Sequence, residues 1–161
     1  MEEVKRLSNL DIENATLIFR NFRGEASTYN AAGNRNFCVR LDKETGIKLA
    51  ADGWNIHWPK IREDGTERDP YLQVTVRYGI MDPVIHVRAG NGEFIDYHED
   101  RVGELDNAEI ANVDLRIRPR HYEVNGRTGV KAYLKEMYVT LDEGAFYWKY
   151  RMNQPEEMPF D

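Results

Sequence analysis

Two strand-like segments around a tight-turn dipeptide restrict the fold more than any other part of this sequence. Segments 113–124 and 130–141 are rich in β-branched, aromatic and other apolar residues, and Asn125-Gly126 lies between them. Asn-Gly favours the left-handed backbone conformations of a type I′ turn, which joins antiparallel strands. We therefore predict a long β-hairpin here, with Gly129 placed to allow a bulge just beyond the turn.

The chain before this hairpin carries short strand signals separated by turns. In segment 71–78 apolar and polar residues alternate, as in a strand with one buried face. A short helix is expected over 43–51, capped by Asp42 and ended by Gly53, and segment 96–109 has weak helical spacing. The other predicted strands cover residues 15–22, 36–41, 54–58 and 84–88.

These elements predict a mainly-β protein. With about six or seven strands and no regular strand–helix–strand alternation, an antiparallel barrel or sandwich is favoured over an α/β fold. A five-stranded antiparallel Greek-key barrel with extra strands and one or two short helices fits the order of the elements. A β-sandwich stays open as the alternative. We predict one domain over residues 1–142 and a tail over 143–161 that is first aromatic and then acidic.

The sequence carries no recognisable catalytic, cofactor or metal-binding pattern. Its 161 residues include one cysteine, Cys38, and four histidines, none at zinc-ligand spacing. It has no nucleophile elbow and no phosphate-binding glycine loop. We therefore expect a protein without enzyme activity, cofactor or metal. It also lacks a signal peptide and an apolar stretch long enough for a membrane span, so we expect a cytoplasmic protein.

Positive charge is concentrated in one part of a chain whose net charge is −6. Between residues 115 and 135 there are six cations and one acid, whereas acids dominate from residue 136 onward. Three arginines at alternate positions share one strand face at a spacing of about 6.6 Å, close to the phosphate repeat of an extended single strand. Either an anion or cross-strand acids must offset their repulsion, and both interpretations stay open. The three arginines are Arg116, Arg118 and Arg120.

Aromatic residues next to cations supply a second candidate feature. Proteins that bind single strands combine a cationic groove with aromatic platforms, each stacked base contributing about 1–3 kcal/mol. Cations would neutralise phosphates here, and Phe22, Tyr71, Tyr122 and Tyr133 would stack bases. The predicted DNA-binding residues are Arg20, Phe22, Tyr71, Arg77, Arg116, Arg118, Arg120, Tyr122, Lys131, Tyr133 and Lys135.

The tail ends in acids followed by an apolar group, Pro155-Glu156-Glu157-Met158-Pro159-Phe160-Asp161. It resembles the C-terminal tip of bacterial single-stranded DNA-binding proteins. The resemblance implies that the tail docks replication or recombination proteins, with the phenylalanine in an apolar pocket and the acids held by basic residues. The residues in that role would be Glu156, Glu157, Met158, Pro159 and Phe160. We also expect the acidic tail to compete with DNA for the basic face.

Four segments in the body of the chain carry a second resemblance: Phe19-Arg20-Asn21-Phe22-Arg23-Gly24, Arg35-Asn36-Phe37-Cys38-Val39, Asp52-Gly53-Trp54 and Gly129-Val130-Lys131-Ala132-Tyr133-Leu134. With these segments the chain is similar to phage- and prophage-encoded single-stranded DNA-binding proteins. This resemblance implies an OB-type barrel and binding with little sequence preference.

Three hypotheses about function follow. The first is single-stranded DNA binding that supports phage replication or recombination in the host cytoplasm, by a chain that could act as a homo-oligomer. The second is a protein–protein interaction module or inhibitor with a β-sandwich fold and an acidic surface, in which the arginine row is paired internally. The third is an enzyme of nucleic-acid metabolism with a scattered acidic site.

Overall fold

The computed structural model describes residues 6–142. Within this range one α-helix, one 3₁₀ helix and nine strands form the fold. The 3₁₀ helix is Val102–Asp106, in the segment with weak helical spacing. The other elements, in chain order, are β1 (Leu10–Ile12), β2 (Thr16–Asn21), β3 (Arg35–Arg40), α1 (Lys43–Asp52), β4 (Ile56–His57), β5 (Tyr71–Val76), β6 (Val84–Ala89), β7 (Ile95–Asp96), β8 (Ile110–Val124) and β9 (Arg127–Leu141).

The final hairpin forms as predicted. Strand β8 pairs with β9 from Val124 opposite Arg127, so a two-residue loop joins them. Asn125 and Gly126 have φ angles of 52° and 77°, the left-handed values that a type I′ turn requires at both central positions. The bulge lies elsewhere than expected: Gly129 pairs in register with Tyr122.

The bulge of β9 lies at Lys135. Arg116 pairs with Glu136 and Ile117 with Leu134, so Lys135 is the extra residue between them. Such a residue shifts the alternation of side chains along one strand relative to its partner. Tyr133 and Glu136, three residues apart on β9, therefore face the same side of the sheet, opposite Arg118 and Arg116.

Strand β9 organises the sheet because both of its edges are paired. One edge pairs with β8 in antiparallel fashion, and the other pairs in parallel with β5 and then with β6. The strand order is β1-β8-β9-β5-β3-β2, with β4 on β5, β6 on β9 and β7 on β6. The result is a mixed sheet that is not closed into a barrel, consistent with an OB-like fold with extra strands. The two parallel pairings differ from the all-antiparallel expectation, because residue alternation does not encode strand direction.

The helix has the predicted capping residues at both ends and runs one residue further than predicted, to Asp52. The Asp42 carboxylate accepts a hydrogen bond of 2.7 Å from the Thr45 backbone N–H. Gly53 adopts a φ of 109°, and its N–H closes the helix end on Ala50 and Leu49. No helix within residues 6–142 is both long and apolar enough to cross a membrane.

A bulge in β2 decides which of two phenylalanines enters the core. Ile18 pairs with Cys38 and Asn21 with Asn36, so β2 holds one residue more than β3 over this stretch. The insertion turns Phe22 inward, where it is 0% exposed and stacks on Phe37 with ring centroids 5.0 Å apart. The prediction that Phe22 stacks bases is therefore wrong, since simple alternation carried through the bulge would have placed it outward.

The first prediction compares these two phenylalanines. Phe22→Ala leaves a cavity in the core and should lower the free energy of unfolding by about 3–5 kcal/mol in urea denaturation. Phe19→Ala is the matched control: Phe19 is 68% exposed, so the decrease should stay below about 1 kcal/mol. Equal decreases for both variants would contradict the placement of the bulge.

Candidate nucleic-acid interface

The outer face of the sheet, opposite the core, is built from strands β3, β5, β9 and β8. Register aligns one outward residue from each strand: Asn36 pairs with Thr75, Thr75 with Tyr133, and Tyr133 with Arg118. A second outward pair, Lys131 with Arg120, lies nearer the hairpin turn. The face is therefore continuous across four strands, and its β8–β9 side carries the basic residues.

A groove of about 840 Å³ runs over this face, and we call it the central groove. Gln73 and Thr75 lie on its floor. One wall is the β2–β3 loop, and the other comes from the turn end of the β8–β9 hairpin. The wall residues are Tyr29, Asn30 and Asn34 on the first side and Tyr122 and Lys131 on the second.

The β2–β3 loop presents Tyr29 to solvent on a hydrogen-bonded frame. The Asn30 side chain donates to the backbone oxygens of Glu25 and Asn34, at 2.8 and 2.9 Å, and accepts from the Asn36 amide at 3.0 Å. Tyr29 itself is 97% exposed. A loop fixed in this way holds an uncovered aromatic ring at the groove mouth.

On the opposite wall Tyr122 is exposed and its position is fixed by two contacts. The Asn55 amide donates to its phenolic oxygen at 2.9 Å. Across the hairpin the ring lies against Gly129, where an added Cβ would come within 2.5 Å of the same oxygen. The role of Gly129 is thus to leave room for the ring.

Four cations gather on the β8–β9 side of the face, and we call them the cation cluster: Arg77, Arg118, Arg120 and Lys131. Among residues 6–142, no carboxylate lies within 4.0 Å of any of them. Arg118 is half-buried, with its guanidinium against the Met81 sulfur at 3.1 Å, and the other three are exposed. The cluster therefore retains a positive charge that the described part of the protein does not pair.

The pKa of the Tyr133 phenol shows the effect of these neighbouring cations. Its ring is only 7% exposed and the Lys131 ammonium lies 5.4 Å from the ring centroid. Burial alone would raise the pKa of the phenol, but Lys131, Arg77 and Arg120 outweigh it and lower the pKa below its ordinary value. The three cations stabilise the phenolate form of Tyr133.

Comparison with known proteins bears on what this face is for. A family model described as "Putative phage ssDNA-binding domain" matches residues 1–157. The chain belongs to the phage ssDNA-binding domain family.

The fold is also similar to solved structures from this class of protein. The single-stranded DNA-binding protein from bacteriophage Enc34 in complex with ssDNA aligns with a TM-score of 0.53 and 12% identity, covering 86% of this chain and 89% of that chain. Its C-terminal truncation aligns with a TM-score of 0.51 and 12% identity, covering 85% and 87% respectively. This likeness shows a shared fold. No curated protein matches the sequence.

The structure brings together most of the residues predicted to bind DNA. Tyr122, Lys131 and Tyr71 line the central groove, and Arg77, Arg118 and Arg120 lie beside it. Tyr71 is half-buried at the groove's end, where His57 stacks on it at 4.5 Å between ring centroids. Tyr133 belongs to the same face, but the prediction that it stacks bases is wrong because its ring is covered. It supports the cations instead.

Of three other predicted residues, Arg20 and Phe22 have structural roles, and Lys135 lies outside the central groove. The Arg20 guanidinium donates to the backbone oxygens of Leu105 and Ala108, at 2.8 and 2.7 Å, and so ties β2 to the segment after the 3₁₀ helix. Phe22 lies in the core. Lys135, on the bulge, lies close enough to Asp11 to help lower the pKa of that carboxyl.

Arg116 is neutralised by a cross-strand acid, which is one of the two interpretations that the sequence left open. Strand β1 places Asp11 directly opposite, and two hydrogen bonds of 2.7 and 3.0 Å join the guanidinium to the carboxylate. The hydrogen bond to Arg116 lowers the pKa of Asp11, and the same interaction raises the pKa of Arg116. The arginine row therefore divides into one paired residue and two that belong to the cation cluster.

Sequence reasoning missed Tyr29, Asn55 and Gln73. Tyr29 lies in a polar loop without strand periodicity, so no alternating pattern points to it. Asn55 and Gln73 are uncharged and alternate with buried residues, and only the pairing of strands shows that they line a groove. The predicted tail residues 156–160 lie outside the described residues.

The second prediction concerns the phenol of Tyr133. In Lys131→Gln its pKa should rise relative to the unmodified protein, because the largest stabilising charge on the phenolate is removed. An NMR pH titration of ¹³C-labelled tyrosine, assigned with Tyr133→Phe, measures this. A pKa that stays unchanged in Lys131→Gln would show that the cluster does not act on the ring.

Proposed function

We propose that this protein binds single-stranded DNA with little sequence preference, in the central groove and along the cation cluster. The observation that carries the proposal is the unpaired cation cluster beside a groove with exposed aromatic rings on both walls. In OB folds, oligonucleotides bind on one face of the sheet between two loops. The central groove lies between a strand-joining loop and the final hairpin, which is the equivalent place.

The chemistry of the groove suits an unpaired strand. Tyr29 and Tyr122 offer open ring faces on which unstacked bases can pack, and duplex bases have no free faces. Arg77, Arg120 and Lys131 are within the same surface to neutralise phosphates. The Enc34 protein, which has the same fold, is described in complex with ssDNA.

The proposed tolerance of base sequence rests on the kinds of groups present. Aromatic stacking and phosphate neutralisation act on every nucleotide alike. The floor residues Gln73 and Thr75 each carry both a donor and an acceptor, so that they can satisfy different base edges. Proteins that select one base work differently, because they hold an arginine or an amide against one base edge so that two hydrogen bonds form together.

The third prediction uses two arginines from one strand face. Arg120→Gln should weaken binding of fluorescently labelled oligo-dT, measured by anisotropy. It should also reduce the slope of log K against log salt by about 0.7 for each phosphate that the variant no longer neutralises. Arg116→Gln is the matched control, since Asp11 already neutralises that residue. Its slope should stay close to that of the unmodified protein.

Two results would contradict the proposal. If the protein fails to bind oligo-dT in dilute buffer, the single-strand function is wrong and a protein-binding role becomes the better hypothesis. If Arg116→Gln and Arg120→Gln reduce the affinity equally, the cation cluster is not the binding surface.

We further propose that the protein supports phage replication or recombination and that the tail docks proteins of those processes. The acids Glu156 and Glu157 followed by Met158-Pro159-Phe160 support this proposal. Such a peptide suits an apolar pocket with a basic rim. The same acids are attracted to the cation cluster, so the tail and DNA should compete.

The fourth prediction tests that competition. Removing residues 156–161 takes away three acids and should tighten oligo-dT binding at low salt, with the gain in affinity shrinking as salt screens the charges. A variant with Glu156→Gln and Glu157→Gln serves as the charge-only control. If the truncated protein binds with unchanged affinity at low salt, the tail does not compete for the basic face.

A further inference from the structure

We propose that a second groove extends the single-strand path beyond the central groove, toward β2 and the β4–β5 loop. This inference rests on the proposed function and concerns how much DNA the protein holds. The groove, which we call the lateral groove, has a volume of about 700 Å³. It shares His57 and Tyr71 with the central groove, so the two meet at this stacked pair.

Phe19 gives the lateral groove an aromatic platform of its own. It lies in the β2 bulge with a φ of 51°, a left-handed value that is uncommon for a residue with a side chain. The ring is 68% exposed and meets the Tyr71 ring edge to face, with centroids 5.4 Å apart. Strained backbone that holds a large apolar side chain in solvent is typical of a binding position.

The Phe19, Tyr71 and His57 rings form a continuous series across the junction. His57 stacks on Tyr71 at an interplanar angle of 30°, while Phe19 stands at 71° to Tyr71. Phe19 and His57 are exposed, whereas Tyr71 between them is half-buried. A base leaving the central groove past His57 would next meet the Phe19 ring.

The lateral groove also has phosphate-binding chemistry. Its walls carry the cations Arg40, Lys60, Arg62 and Arg68 and the acids Glu67 and Asp69. Glu67 is held by Lys43 at 3.3 Å. Within residues 6–142, none of the four groove cations lies within 4.0 Å of a carboxylate.

The ligand class that fits is therefore a further stretch of the same single strand. A cationic wall beside one open ring repeats the arrangement of the central groove, and the shared His57–Tyr71 pair joins the two grooves. A single OB fold covers about 4–16 nucleotides. With the lateral groove included, this protein would bind more nucleotides than the lower end of that range.

The experiment measures affinity against oligonucleotide length. Oligo-dT of about 4 to 16 nucleotides is titrated into the full chain, into Phe19→Ala, and into the double variant Arg62→Gln with Arg68→Gln. The affinity of the unmodified protein should keep rising after the central groove is filled. For both variants the affinity should stop rising at a shorter oligonucleotide length than for the unmodified protein. Both should bind the longest oligonucleotide about ten-fold more weakly than the unmodified protein, and the shortest with the same affinity.

A control variant that removes two cations outside both grooves distinguishes an effect of the lateral groove from a general effect of net charge. Lys48 on α1 and Arg101 beside the 3₁₀ helix are exposed and line neither groove. Lys48→Gln with Arg101→Gln should retain the full dependence on length. Circular dichroism verifies that each variant is folded, and photo-crosslinking of the unmodified protein to 5-iodouracil-containing DNA should label Phe19 only with the longer oligonucleotides.

The outcomes distinguish this inference from the proposed function. If the unmodified protein binds no oligonucleotide, the proposed function itself fails. If it binds, but the lateral-groove variants keep the same dependence on length and Phe19 is never labelled, the central groove stands and its extension is wrong.

Discussion

The pairing of β9 along both edges places the cationic side of the candidate interface. Its antiparallel register with β8 sets Lys131 beside Arg120 and Tyr133 beside Arg118, and its parallel register with β5 brings Thr75 to the same row. Paired side chains on one face interact directly, and like charges in that position repel. The bulge at Lys135 brings the acidic Glu136 to the same face, but opposite Arg116 and not opposite Arg118 or Arg120. No carboxylate among residues 6–142 lies within 4.0 Å of the cation cluster, so its repulsion remains. A bound anion would relieve this remaining charge.

This arrangement explains how a chain with a net charge of −6 can present a surface for a polyanion. Beyond about 10 Å, salt screens exposed charges, so the local set of cations matters more than the sum over the protein. Arg116 and Asp11 form a closed pair outside that set. Acids elsewhere on the chain then limit non-specific association while leaving the groove attractive to phosphates.

The sequence predicted those elements whose signals are local. The Asn125-Gly126 turn, the Asp42 cap and the Gly53 helix end each depend on the backbone preferences of a few residues. The features that the sequence did not predict depend on one-residue insertions and on pairing between distant segments. The β2 bulge turned Phe22 into the core, and β1 supplied the acid that neutralises Arg116. Neither event leaves a trace in local periodicity, because each is settled by the packing of the whole sheet.

The proposed function requires a single strand of DNA to lie on the outer face of β3, β5 and the β8–β9 hairpin. NMR can locate the strand by following backbone amide signals as oligo-dT is added to the isotopically labelled protein. We expect the largest shifts at residues 29–36, 71–77 and 118–133, with little change around Asp11 and Glu136. Shifts centred on Asp11, Glu136 and Tyr138 instead, with the central groove unaffected, would show that DNA binds elsewhere.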